Sequence, residues 1–213
     1  MPMKIVSVNV GRPRIVLWKG TQVSTGIFKS PVEGPVEVGD VNLRGDRQAD
    51  LSAHGGRFKS AYGYPSEHYA YWRQQLPQSD LPWGAFGENL TTEGLLETDL
   101  DIGDHLRIGS ALLQVTQPRS PCYKLTIRFN RDDMVKRFAE SNTSGFYFAV
   151  LEQGTLQAGD EITIVERDPA AVSVADINRL YYRESQDPEL LARAVALDAL
   201  PENWRDYLRR RGV

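Results

Sequence analysis

The sequence is poor in cysteine, and this excludes several kinds of site. The chain of 213 residues contains one cysteine, which cannot form an internal disulfide or supply the several thiolates of a structural zinc site. The three histidines, His54, His68 and His105, do not have the i,i+4 spacing of a helical metal-binding pair. We therefore do not expect a zinc or iron site built from histidines.

Long apolar runs and an excess of positive charge are also missing. No apolar stretch approaches the roughly 18 residues of a membrane-spanning helix, and the N-terminal MPMKIVSVNVG has no signal-peptide pattern. The net charge of −3, from 25 basic and 28 acidic residues, gives no general reason to expect stable nucleic-acid binding. We expect a cytoplasmic protein without membrane association, in which a local cluster of cations holds any anionic ligand.

Short strands dominate the pattern up to about residue 167. Glycine-rich turns separate β-rich runs such as KIVSVNVG and PRIVLWKGTQVSTGIFKSPV, and the turns Gly109-Ser110 and Gly159-Asp160 each predict a hairpin. Helical spacing interrupts this pattern within 65–76 and 130–145. Because no strand–helix–strand alternation is visible, we predict a mainly β (α+β) fold over residues 1–167, an antiparallel β-barrel with peripheral helices.

The tail has a different pattern. From about Asp168 the alternation of β-branched residues stops, and three amphipathic segments follow. Ser173 is a candidate cap for the first, Asp187-Pro188 begins the second and Pro201 begins the third. Residues 168–213 therefore predict a small three-helix domain.

Two loop stretches have residues suited to bind an anionic heterocyclic molecule. LRGDRQADLSAHGGRFKSAYGYP places Arg47, His54 and Arg57 around glycines whose backbone amides can approach a phosphate closely. A basic, solvated loop would have the same composition. AFGENLTTEGL contains Asn89, whose amide can recognise the edge of a heterocycle or cap its own turn.

The stretch TQPRSPCYKL contains the single thiol, Cys122. Arg119 and Lys124 flank it, and neighbouring cations favour the thiolate form of a cysteine. A thiolate is a nucleophile or a ligand for a soft metal. The alternative is a buried structural cysteine, which the surrounding polar and turn residues make less favoured.

Five stretches, taken in their order along the chain, resemble MOSC-domain proteins of the YiiM type. They are GDRQADLSAHGG, YPSEHYAYW, FGENLTTEGL, GDHLRIG and QPRSPCYKL. The resemblance extends from about residue 5 to 166. The tail resembles the three-helix domain that follows the MOSC domain in that subgroup, and the fold implied is again a β-barrel.

The resemblance implies binding of the molybdenum cofactor, a pterin dithiolene with a phosphate tail, and Cys122 as its metal ligand. It also implies reduction of N-hydroxylated compounds, such as hydroxylaminopurine, to the amines, with electrons from a separate donor protein. Cys122 and His54 are the expected catalytic residues. The expected cofactor-binding residues are Arg47, His54, Arg57, Asn89, Arg119, Ser120, Tyr123 and Lys124.

Two other functions are compatible with the same residues. The first is a non-catalytic carrier of the molybdenum cofactor or of sulfur on Cys122. The second is a metal-free thiol enzyme with Cys122 as nucleophile and His54 as base. The aromatic residues of HYAYW and of the tail are compatible with either a homodimer surface or an internal core.

Overall fold

The computed structural model describes residues 2–51, 55–182 and 186–211. The strands are β1 Lys4–Val10, β2 Arg14–Trp18, β3 Thr21–Thr25, β4 Ser30–Val32, β5 Val36–Val38, β6 Ala61–Pro65, β7 Leu90–Glu93, β8 His105–Ile108, β9 Ala111–Pro118, β10 Phe146–Glu152, β11 Gly154–Leu156 and β12 Ile162–Glu166. The helices are a short 3-10 helix at Arg57–Lys59 and the α-helices α1 His68–Gln75, α2 Lys124–Phe129, α3 Met134–Glu140, α4 Val174–Tyr181, α5 Pro188–Ala196 and α6 Glu202–Arg211.

The central sheet is mostly antiparallel and has eight strands in the order β12-β8-β9-β10-β6-β7-β1-β4. Three backbone hydrogen bonds approach closure of the sheet. Ile5 donates to the Asp160 carbonyl and accepts from the Gly159 amide, and Ile162 donates to the Met3 carbonyl. Within the described residues, however, no continuous ladder pairs β12 with β1 or β4. The mixed α+β class is confirmed, whereas the predicted closed barrel is not.

Among the described strands, one pair of neighbours is parallel. In β6 and β7, Gly63 pairs with Leu90 and Tyr64 with Thr91, and α1 lies between the two strands in the chain. Parallel neighbours need a crossover connection of this kind. The expectation of a sheet without a strand–helix–strand unit is therefore wrong at this point. The connection between α1 and β7 makes the order β6-α1-β7 difficult to recognise in the sequence.

The two predicted hairpins have different outcomes. The turn at Gly109-Ser110 joins β8 to β9, with Ile108 opposite Ala111, as predicted. Gly109 has a positive φ of 56°, and a Cβ there would collide with the Thr155 carbonyl oxygen, so glycine is needed. The turn at Gly159-Asp160 does not form a hairpin, because β11 pairs with β5 and β12 pairs with β8.

Each of the three tail helices begins where the sequence predicts. Ser173 caps α4 in a capping box with Asp176, Asp187 caps α5 through its carboxylate, and α6 begins directly after Pro201. None of the helices that the structure describes is long and apolar enough to cross a membrane.

The tail and the sheet share one hydrophobic core. A single cluster of buried side chains extends from Leu113 and Phe146 in the sheet to Ile177 and Leu208 in the tail. The buried Asn178 amide also donates to the Ser144 hydroxyl at 2.8 Å. The three-helix tail is therefore packed as part of the main body.

A second cluster, rich in aromatic residues, lies under α1, α2 and α3. Tyr69 and Trp72 of HYAYW are fully buried in it, together with Phe86 and Phe138. These two residues of HYAYW thus belong to the internal core, while Tyr71 is 40% exposed.

Ile177→Ala should lower the free energy of unfolding by roughly 2–5 kcal/mol, because the side chain is fully buried where the tail meets the sheet. Native-state hydrogen exchange should show lower protection in both α4 and β9. The control Ile15→Ala, at a side chain that is 68% exposed, should change stability by no more than about 0.5 kcal/mol. Loss of protection in α4 with unchanged protection in β9 would show that the shared core does not couple them.

Candidate functional site

A cavity rich in positive charge lies beside β6 and β10. Its volume is about 580 Å³ including its open mouth. Loops before and after neighbouring strands complete its wall, and the described residues that line it include no carboxylate. Its cationic side chains, which we call the cation cavity set, are Lys29, Arg47, Lys59, Arg119 and Lys124. Such a wall attracts an anionic ligand.

Arg119 is the more buried of the two arginines in the cation cavity set. It is only 6% exposed, and its guanidinium lies 5.0 Å from the ring centroids of both Tyr62 and Phe138. Its Nη1 is buried and has no hydrogen-bond acceptor among the described residues. A guanidinium stays protonated at physiological pH, so Arg119 places an unsatisfied, charged donor in the cavity wall.

Lys29 is held in the wall by a buried carboxylate. Its Nζ lies 2.5 Å from Oδ1 of Asp46, and both side chains are buried. Burial lowers the pKa of Lys29, and the attraction of Asp46 opposes that shift. Asp46 also accepts from the Gly11 amide at 2.9 Å and from the Asn89 side chain at 2.9 Å.

Asn89 lines the cavity, but its amide group is already used inside the protein. Its Nδ2 donates to Asp46 and to the Asn9 carbonyl, and its Oδ1 accepts from the Tyr62 amide. Both donor hydrogens are therefore occupied. Asn89 positions Asp46 and β6, and it does not offer the free donors expected for reading a heterocycle edge.

The turn that carries Gly87 and Asn89 is organised by the buried Glu88. Its carboxylate accepts from the Gly84 and Phe86 amides, at 2.7 and 3.1 Å, and from the hydroxyl of Tyr69. Burial raises the pKa of Glu88, and the hydrogen bonds from the Tyr69 hydroxyl and the Gly84 amide oppose the shift. Glu88 thus fixes the backbone of this wall.

A row of side chains crosses three neighbouring strands beside the two cavities. Gln117 in β9 lies opposite Tyr147 in β10, which lies opposite Tyr62 in β6. Directly opposed residues share a face of a sheet, and the Tyr62 and Tyr147 ring centroids are 5.2 Å apart. Burial raises the pKa of Tyr147, and the charge of Arg119 opposes the shift.

Cys122 lies where two cavities meet. It is partly exposed, directly precedes the first turn of α2, and lines both the cation cavity and a second cavity beside the tail. Lys59 and Tyr147 also line both. Burial lowers the pKa of Lys59, and Cys122 opposes that shift. No group of three or more histidine, cysteine or acidic side chains suited to a metal occurs in the described ranges.

The structure brings together five of the residues that the sequence singled out: Arg47, Asn89, Arg119, Cys122 and Lys124 all line the cation cavity. Ser120 lines the second cavity instead.

Two of the singled-out residues, Arg57 and Tyr123, line neither cavity. Tyr123 is 54% exposed, and the exposed Arg57 lies over the Phe58 ring at 4.7 Å. His54 falls outside the described residues.

Sequence reasoning missed Lys29, Asp46, Tyr62 and Tyr147. Asp46 stands next to Arg47 in the quoted GDRQAD stretch, which was a usable signal for a site residue. Lys29 stands in a β-rich run without any neighbouring signal, so its contact with Asp46 is visible only in the fold.

The chain matches the sequence patterns of two domains. Residues 50–163 match the MOSC domain, and residues 172–211 match the YiiM-like 3-alpha helix domain. The MOSC match alone covers more than half of the chain.

Relatives and a solved structure agree with these matches. A Bacillus subtilis protein named YflK is 39% identical, over 94% of this chain and 90% of the relative. A Gibberella moniliformis protein named reductase is 34% identical over 84% of this chain. The match covers 32% of that longer protein. The crystal structure of YiiM from Geobacillus stearothermophilus covers 100% of both chains at 37% identity, with a TM-score of 0.83. The chain therefore belongs to the MOSC family, in the YiiM-type branch that carries a C-terminal three-helix domain.

Proposed function

We propose that this protein binds the molybdenum cofactor in the cation cavity and reduces N-hydroxylated compounds to the corresponding amines. The observation that carries the proposal is the convergence of the single thiol with five cationic side chains around one cavity. Membership of the MOSC family supports the cofactor, and the relative named reductase supports the class of reaction.

The residues present fit an anionic, sulfur-ligated cofactor. The buried Nη1 of Arg119 has no acceptor among the described residues, so a phosphate or another anionic oxygen would satisfy it. Lys124 is only 7% exposed and forms no ion pair within the part of the chain that the structure describes. Cys122 supplies the soft thiolate that suits a soft transition-metal centre.

Each residue has a defined task in this proposal. Cys122 binds the metal, while Arg119, Lys124 and Arg47 hold the anionic groups of the cofactor. Asp46 and Asn89 keep Lys29 in the wall and act as positioning residues. On the sequence evidence, His54 contacts the cofactor or donates a proton to the substrate. When bound, the cofactor would supply the redox chemistry that protein side chains lack.

The net reaction is R–NHOH + 2 e⁻ + 2 H⁺ → R–NH₂ + H₂O. The N–O bond breaks, the nitrogen keeps the electron pair and is reduced, and the oxygen leaves as water. The two electrons come from a separate electron-transfer protein, which is oxidised. The sequence has no flavin or iron–sulfur motif that would serve instead.

The alternative is a non-catalytic carrier of the cofactor or of sulfur. It uses the same thiol and the same cations, so the fold does not separate the two. Stoichiometric molybdenum without turnover of a hydroxylamine, in the presence of a competent reductant, would favour the carrier.

Cys122→Ser should abolish molybdenum retention and the reduction of a hydroxylamine substrate, because serine is a hard and weakly acidic ligand. The thermal unfolding transition should stay close to that of the parent, since Cys122 is partly exposed and is not a core residue. Elemental analysis and a turnover assay measure the two losses. A folded variant with full metal content and activity would disprove the assignment of Cys122.

Arg119→Gln should weaken binding of inorganic phosphate to the cofactor-free chain by about tenfold or more, the value of one charge-assisted hydrogen bond. Arg119→Lys should keep part of the affinity because it keeps the charge. Calorimetric titration measures both variants.

The matched control is Arg44→Gln, which removes an exposed arginine that is paired with Glu37 outside the cavity. It should leave phosphate affinity unchanged. Equal losses in Arg119→Gln and Arg44→Gln, or none in either, would contradict the role given to Arg119.

A further inference from the structure

A second cavity lies between the end of β9 and the C-terminal helices. Its volume is about 770 Å³ including its open mouth. Three of its aromatic residues, Tyr181, Trp204 and Tyr207, come from the tail, and Tyr147 comes from the sheet. We call this cavity the aromatic cleft.

The aromatic cleft and the cation cavity share part of their walls. Cys122, Lys59 and Tyr147 line both, so a molecule in the cleft and an anion in the cation cavity would both lie beside Cys122. Lys59 is the one charged residue among the described residues that line the cleft. Charge is thus concentrated on one side of Cys122 and aromatic surface on the other.

The aromatic wall is anchored to the sheet. The Trp204 indole nitrogen donates to Oε1 of Gln117 at 2.5 Å, which ties α6 to the row formed with Tyr147 and Tyr62. Tyr181 lies 5.0 Å from Trp204 and 4.6 Å from Tyr207, measured between ring centroids. These contacts hold the aromatic rings in position without a bound ligand.

We infer that the aromatic cleft binds the planar ring of a heteroaromatic N-hydroxylated substrate and directs its N-hydroxy group towards Cys122. The inference rests on the proposed function and extends it by assigning substrate binding to the three-helix tail. Aromatic side chains bind planar rings through stacked or edge-to-face contacts. Asn203 supplies an amide that can donate to and accept from the ring edge.

Substrate preference follows from this placement. A heteroaromatic substrate uses the cleft, whereas hydroxylamine itself has no ring to place there. Changes in the cleft should therefore affect the two substrates unequally, which a general loss of fold or of cofactor would not do.

The first test measures binding without any turnover. Adenine, the amine of a hydroxylaminopurine, is titrated into the full cofactor-free chain and followed by calorimetry. Tyr207→Ala should weaken adenine binding by up to about tenfold, the value of one edge-to-face aromatic contact. An edge contact is the expected mode because Tyr181 already stacks on the Tyr207 ring and Arg211 lies 4.3 Å from its centroid. Tyr207→Phe should restore most of the affinity, and the control Tyr71→Ala, at an exposed tyrosine of α1 that lines neither cavity, should leave it unchanged.

The second test uses the loaded protein with its electron donor. Tyr207→Ala should lower kcat/KM for hydroxylaminopurine by about tenfold and leave the value for hydroxylamine unchanged. Equal losses for both substrates would overturn the inference, and so would adenine binding that is absent or insensitive to Tyr207. Adenine binding that depends on Tyr207, in a protein that reduces neither substrate, would support the cleft as a ring-binding site and count against the proposed reductase.

Discussion

The buried carboxylate of Asp46 is the interaction on which the candidate site depends. It binds the Gly11 amide, the Lys29 ammonium and the Asn89 amide, and so joins three segments that are far apart in the sequence. Removing one partner from a buried ion pair leaves an uncompensated charge, which is strongly destabilising. The pair therefore holds Lys29 in the cavity wall and aligns the loop before β7 with the segment that carries Arg47.

Regular sheet geometry then brings two chemically different surfaces to one thiol. The opposed residues Tyr62, Tyr147 and Gln117 form a row across adjacent strands, and Trp204 extends the row into the tail. Tyr62 lines the cation cavity, Gln117 and Trp204 line the aromatic cleft, and Tyr147 and Cys122 line both. An anionic cofactor and a neutral ring can thus meet at one sulfur without competing for the same wall.

Local signals in the sequence predicted local features well. The cap at Ser173 and the closeness of Cys122 to its flanking cations need few long-range contacts. The Lys29–Asp46 pair and the parallel pairing of β6 with β7 depend on long-range contacts, and no local sequence pattern predicts them. The stretch 124–129 alternates apolar residues like a strand, yet it is the helix α2, because nearly every side of it is buried by tertiary packing.

The central claim is that the cation cavity and Cys122 hold the molybdenum cofactor. Its most direct test is elemental and pterin analysis of the full chain, purified from a host that makes the cofactor. The account predicts close to one molybdenum and one pterin per chain, both released when the protein unfolds. Folded protein from such a host that contains neither molybdenum nor pterin would contradict it.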